Sequence, residues 1–158
     1  MPPVNRRCVE ICAGNGREGL AAKLIINHGW SGYLFDGNEH SIEARRKFFK
    51  TCRETSFNPP VFTKAWITAE NVNELIADSG VEGPIDLLSL DMDGTDSWIW
   101  KIINVVDPRA VVCDAHNIIP PDRALTVPCD PQFVCKSTDY PAHRWQPCAN
   151  WAVRRVIV

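Results

Sequence analysis

The sequence has no apolar run of about eighteen residues, the length that a membrane-spanning helix requires, and its first residues have no signal-peptide core. It also has no long basic block: the formal net charge is −2, and lysines and arginines form only short clusters such as residues 45–47. The seven cysteines include no Cys-x-x-Cys pair, and the four histidines lack ligand spacing, so no metal site is predicted. We therefore expect a cytoplasmic protein that binds neither nucleic acid nor a membrane.

The 158 residues, of which 45% are hydrophobic, suffice for one domain with a core of its own. Short apolar runs alternate with segments of helical spacing, which predicts an α/β fold with a doubly wound, mostly parallel sheet and helices on both faces. Strands are predicted near residues 8–12, 32–36, 61–67, 85–94 and 108–117, and helices near 17–28, 38–52, 68–79 and 98–103. In the second helix, the side chains expected to face inward are Ile42, Phe49 and Cys52, and those expected to face outward are Arg45, Arg46, Lys47 and Lys50.

A glycine cluster follows the first strand, and a helical pattern begins directly after it. Glycines at such a corner let a ligand approach bare backbone, and the start of the helix offers unpaired N–H groups. The spacing Gly14-x-Gly16-x-x-Gly19 fits the dinucleotide fingerprint, and Asp36 follows about twenty residues on, where a ribose-binding acid is expected. The alternative is a plain strand-to-helix turn, with Asp36 as a helix cap or turn residue. The corner favours a nucleotide-like ligand.

Glu10 interrupts the first apolar strand, and a buried carboxylate needs a partner. An acid between apolar residues, followed by a glycine series, resembles motif I of the class I S-adenosylmethionine-dependent methyltransferases, with Cys12 at the first glycine position. Residues 85–94 and the Trp/Ile-rich helix after them are similar to the FkbM-type members of that family. The resemblance covers about residues 8–136. It implies a Rossmann-like sheet of order 3-2-1-4-5, here lacking the last two strands of the full methyltransferase fold.

The resemblance implies methyl transfer from S-adenosylmethionine to a small-molecule acceptor, with a hydroxyl as the expected acceptor group. Glu10 would orient the amino-acid end of the cofactor, and Asp36 would hold the ribose. Because the usual acid after the third strand is absent, the adenine contact would fall to backbone groups or to stacking on Trp66. Asp91 is the first choice for the base or acceptor-positioning group, with His116 second. The backbone and neighbouring contacts to the cofactor are expected from Cys12, Ala13, Gly14, Asn15, Gly16, Gly37 and Asp91.

Three alternatives remain open at the level of sequence. A cofactor-binding or scaffold module without chemistry is suggested by the missing C-terminal strands; the structural readings of the two candidate catalytic residues are a helix cap for Asp91 and a loop residue for His116. An NAD-dependent oxidoreductase would use the same glycines, but Glu10 and the lack of a Tyr-x-x-x-Lys set disfavour it. A magnesium-assisted methyltransferase, with Asp91, Asp93 and Asp114 around the ion, is a minor variant.

The pattern changes after residue 140, where no clean helical or strand period continues. We expect a Rossmann-like domain at residues 1–140, with its core at about 8–117 and a loop at 118–140, followed by an irregular tail at 141–158. Because a back-translation of the tail permits an amphipathic helix in another reading frame, we hypothesise that the tail is out of frame and the domain truncated. The fifth strand would then be an exposed edge, which favours a homodimer.

Overall fold

A single parallel sheet organises the chain. In the computed structural model, the described residues are 3–14, 19–92, 94–113, 125–127, 129–132 and 146–147. The sheet has five strands in the order β3-β2-β1-β4-β5, and every neighbouring pair is parallel. The strands are β1 (Arg7–Ile11), β2 (Ser31–Asp36), β3 (Val61–Lys64), β4 (Gly83–Leu90) and β5 (Val106–Cys113). The predicted α/β fold and strand order are therefore confirmed. Two short strands, β6 (Leu125–Thr126) and β7 (Gln146–Pro147), form a separate antiparallel pair.

Helices connect the strands and cover both faces of the sheet. They are α1 (Leu20–His28), α2 (Glu39–Thr51), α3 (Val72–Asp78) and α4 (Asp96–Ile102), and a 3-10 turn spans Arg53–Thr55. α1 ends as predicted at Gly29, whose φ of 65° allows its N–H to donate to the carbonyl of Ile25. α3 starts later than predicted, because the side chain of Asn71 accepts the N–H of Thr68 and forms a turn before the helix. Across the described part of the chain, no helix is long and apolar enough to cross a membrane.

The core lies on the two faces of the sheet, because successive residues of a strand point to opposite sides. Val9 and Ile11 belong to the cluster that packs under α3 and α4. Cys8 and Leu34 belong to the opposite cluster, with Ile25 of α1 and Phe49 of α2. The strand β4 is buried from residue 85 to residue 90 without interruption, as expected for a central parallel strand.

One prediction for α2 is wrong: Arg45, expected to face solvent, is completely buried, with 0% of its surface exposed. The buried residues of α2 are Ile42, Arg45 and Phe49. Their spacing of three and four residues puts all three on one helix face, so the helical period places Arg45 against the sheet despite its charge.

The segment before β1 is held by a carboxylate at the opposite edge of the sheet from the strand carboxyl ends. Asp86 accepts the N–H groups of Val4, Asn5 and Arg6 at 2.7–2.9 Å, and Arg109 donates to it at 2.7 Å. Burial by itself would raise the pKa of Asp86, but these four donors outweigh it and lower the pKa to about 2. The carboxylate therefore joins three parts of the chain at neutral pH.

Candidate functional site

The carboxyl ends of the strands open into a crevice at the point where the strand order reverses, the usual ligand position in such sheets. The crevice holds a larger cavity of about 800 Å³ and a smaller one of about 300 Å³. Of the residues predicted from the sequence, the larger cavity is lined by Cys12, Asp36, Gly37, Trp66 and Asp91, and the smaller by Glu10, Cys12, Ala13, Gly14 and Asp91. Cys12 and Asp91 line both, so the cavities meet at these two residues. The predicted residues Asn15, Gly16 and His116 lie outside the described ranges.

The backbone turns sharply at the end of β1. Cys12 has a φ of 60° and Gly14 a φ of 56°, both in the left-handed region. The N–H of Cys12 donates to the carbonyl of Phe35 at 3.0 Å, which holds the turn against β2. A cysteine in this conformation costs on the order of 1 kcal/mol relative to glycine. Cys12 therefore takes a left-handed conformation that favours glycine, at some cost in stability.

Asp36 connects the corner to the beginning of α2. One carboxylate oxygen accepts the N–H of Gly14 at 3.0 Å, and the other accepts the N–H of Asn38 at 2.8 Å. The side chain is nearly buried but lines the larger cavity. A carboxylate has about four acceptor positions, so each oxygen retains capacity for a further donor. Asp36 thus has the structural role of a turn aspartate and also faces the crevice.

The carboxylate of Glu10 contacts the first turn of α1. Its carboxylate accepts the N–H of Ala21 at 3.3 Å, and a Cβ atom on Gly19 would lie 2.9 Å from its Oε2. Burial is the largest effect on Glu10 and, with the charge of Asp91, raises its pKa above the usual value; the N–H groups at the start of α1 and the charge of Arg45 offset this only in part. Gly19 is therefore required by the close approach of this carboxylate.

Trp66 forms one wall of the larger cavity. Its indole N–H donates to the carbonyl of Pro131 at 2.9 Å, and a Cβ atom on Gly37 would lie 2.9 Å from its Cε3. The ring is thus fixed between the β2 corner and residues 129–132, and 53% of the residue's surface remains exposed. This arrangement leaves an aromatic surface in the crevice.

Sequence reasoning missed several residues of the larger cavity. Trp98, assigned only to an apolar helix stripe, donates its indole N–H to the carbonyl of Val127 at 2.8 Å. Lys64 and Glu39 form an ion pair, and both line the cavity. A local signal existed for these two, since Lys64 is the last residue of β3 and Glu39 follows the corner at the end of β2. No local signal pairs either tryptophan with residues far along the chain.

Of the acids that follow β4, Asp96 has a structural role and Asp91 lines the cavities. Asp96 accepts the N–H groups of Met92 and Gly94, both at 3.1 Å, and so stabilises the turn into α4. Asp91 is exposed and lines both cavities. Within the ranges described here, no group of three or more metal-binding side chains comes together. Asp93 and Asp114, named for a magnesium ion, lie outside those ranges.

No family model, curated protein or solved structure matches the chain. Its function is therefore inferred from the geometry of the crevice.

Proposed function

We propose that the chain binds S-adenosylmethionine and transfers its methyl group to a hydroxyl of a small molecule. The observation that carries this proposal is the pair of cavities joined at Cys12 and Asp91, one with an aromatic wall and a ribose-type acid, the other lined by acids. Their volumes fall within or at the edge of the range of about 300–1,000 Å³ usual for small-molecule sites. A nucleoside and an amino-acid end would occupy one cavity each.

The residues present fit this cofactor. Asp36 retains acceptor capacity for two ribose hydroxyls, and Trp66 offers an exposed ring for adenine. Glu10 and Asp91 line the smaller cavity and would favour the ammonium group of the amino-acid end. S-adenosylmethionine is itself cationic at sulfur, so a crevice lined by carboxylates complements its charge.

The chemistry asked of the protein is modest. When bound, S-adenosylmethionine supplies a methyl group that is already activated. The chain has to align an acceptor with that group and remove the acceptor's hydroxyl proton. Asp91, at the junction of the cavities, would accept this proton and thereby act as the base.

The position of Glu10 argues against a dinucleotide. In dinucleotide-binding folds the pyrophosphate lies at the start of the first helix, where N–H groups and the helix dipole favour an anion. Here the carboxylate of Glu10 already accepts the N–H of Ala21 at that place. A pyrophosphate would meet a negative charge there, which disfavours the oxidoreductase alternative.

Calorimetry with S-adenosylmethionine, S-adenosylhomocysteine and NAD in parallel tests the proposal. We expect both adenosyl compounds to bind and NAD not to bind. Asp36→Asn should weaken the binding of both compounds about tenfold or more, since one ionised acceptor is lost. Asp107→Asn is the matched control, because Asp107 is exposed at the far end of β5. Binding of NAD alone refutes the proposal, and binding of S-adenosylhomocysteine without methyl transfer to any hydroxyl acceptor favours the non-catalytic module.

A further inference from the structure

Arg45 is a buried cation that makes no hydrogen bond to any residue the structure describes. None of its surface is exposed, and its Nε, Nη1 and Nη2 atoms have no hydrogen-bond partner among the described residues. A buried guanidinium in this state costs several kcal/mol, to order of magnitude, unless nearby charges compensate it. It lines neither cavity, so it does not contact a ligand there.

Two buried carboxylates supply that compensation. Burial lowers the pKa of Arg45, and among the charges that oppose it Glu10 and Asp36 act most strongly and Cys12 less. The alternation of the strands gives the geometric reason: Glu10 lies on the same face of β1 as Cys8, and Asp36 on the same face of β2 as Leu34. Both of those residues belong to the cluster under α1 and α2. Arg45 therefore lies beneath the glycine corner, where its charge interacts with both Glu10 and Asp36.

The groups that surround Glu10 come from four elements. β1 contributes the thiol of Cys8, and α1 contributes the backbone N–H groups of Leu20 and Ala21. The segment after β4 contributes the negative charge of Asp91. In the part of the chain that the structure describes, Arg45 of α2 is the cation that acts on Glu10, and it opposes both burial and Asp91.

We propose that Arg45 is a positioning residue that keeps the carboxylate of Glu10 ionised at the start of α1. Through Glu10, it lets the smaller cavity present an anion to the ammonium end of its ligand. This inference deepens the proposed function and rests on it for the identity of the ligand. The ionisation of Glu10 itself does not depend on the ligand.

The first test is an NMR titration of the Glu10 side-chain carboxyl in the ligand-free protein. Arg45→Met keeps the length of the side chain and removes its charge, so the Glu10 midpoint should rise by about one pH unit or more. Arg45→Lys keeps the charge, so its Glu10 midpoint should stay close to that of the original chain. Lys47→Met, on the exposed side of α2, is the matched control and should change nothing.

A merely structural role would change the unfolding free energy of Arg45→Met and leave the Glu10 midpoint unchanged, and that result overturns the proposal. If Arg45→Met does not fold, Arg45→Gln, which is also neutral, decides the same question. An unchanged midpoint in the folded neutral variant refutes the role, and a raised one supports it.

The second test measures the affinity for S-adenosylmethionine as a function of pH. Between the original and the raised Glu10 midpoints, Arg45→Met should bind about tenfold more weakly for each pH unit below its raised midpoint. The loss should disappear in a Glu10→Gln background. If the original chain does not bind the cofactor, the proposed function fails while the titration still decides the role of Arg45. If Arg45→Met binds as tightly as the original chain at every pH, this inference fails and the function stands.

Discussion

At the scale of single residues, a lack of room for a side chain, and not the backbone conformation, explains why residue 19 is a glycine. Its φ of −65° and ψ of 141° are available to any residue. What excludes a side chain is the carboxylate of Glu10, which would lie 2.9 Å from a Cβ atom. The two glycines of this motif are therefore required for different reasons. Gly14 has a positive φ and no atom within 4 Å of its ideal Cβ, so its backbone conformation and not its surroundings favours glycine.

We expect Gly19→Ala to lower the free energy of unfolding by about 1–3 kcal/mol, because the new methyl group overpacks against a fixed carboxylate. In a Glu10→Ala background the same substitution should cost at least about 1 kcal/mol less. Urea denaturation of the four proteins of this double-mutant cycle gives the coupling. Equal costs in both backgrounds would show that the helix cap, and not the carboxylate, requires glycine.

At the scale of elements, the side chain of Asp86 fastens the segment before β1 to β4 and β5. Its pKa is lowered to about 2, so the ionised form stabilises the fold above about pH 4, and this stabilisation is lost as the pH falls toward 2. Asp86→Asn should therefore cost about 2 kcal/mol at pH 7, with a difference that shrinks below pH 4. Denaturation at several pH values checks this, with Asp107→Asn as the control. A difference independent of pH would contradict the assigned ionisation.

Two indole N–H groups attach Val127 and Pro131 to the rest of the domain. Trp66→Phe and Trp98→Phe each remove one such bond, worth about 1 kcal/mol. We expect faster amide hydrogen exchange at Val127 and Cys129 in both variants and a larger effect in the double variant. Trp30→Phe, at the end of α1, is the control. Unchanged exchange in the double variant would show that other contacts hold this wall of the cavity.

The elements also show how far sequence reasoning reaches. The strands and their order follow from apolar runs and from the resemblance of two motifs, because both are local patterns. The position of Arg45 follows from helical period, but its charge led to the opposite prediction. The bonds from Trp66 and Trp98 to distant carbonyls have no local pattern at all. Local periodicity therefore predicts elements well, and it predicts neither buried charge nor contacts between distant segments.

At the scale of the whole molecule, the two outer strands of the sheet differ in length. β3 has four residues and β5 has eight, and within the described ranges β5 pairs only with β4. A long apolar edge favours pairing with a second chain. The homodimer expected from the sequence therefore remains a prediction, with β5 as its interface.

Sedimentation of the chain over a range of concentrations checks this prediction. We expect a monomer–dimer equilibrium, with amide exchange in β5 becoming slower as the concentration rises. The amides of β3 serve as the internal control and should not change. A monomer at every concentration would refute the dimer, and protection in β3 instead would move the interface to the opposite edge.

The bond between Trp66 and Pro131 joins residues 65 positions apart, and that between Trp98 and Val127 joins residues 29 positions apart. Closing such long loops is entropically unfavourable until the sheet between them exists. We therefore expect the larger cavity to be completed at the end of folding. During refolding, far-UV circular dichroism should recover before adenosine affinity does. Ligand binding would then show that Val127 and Pro131 have packed against the two tryptophans.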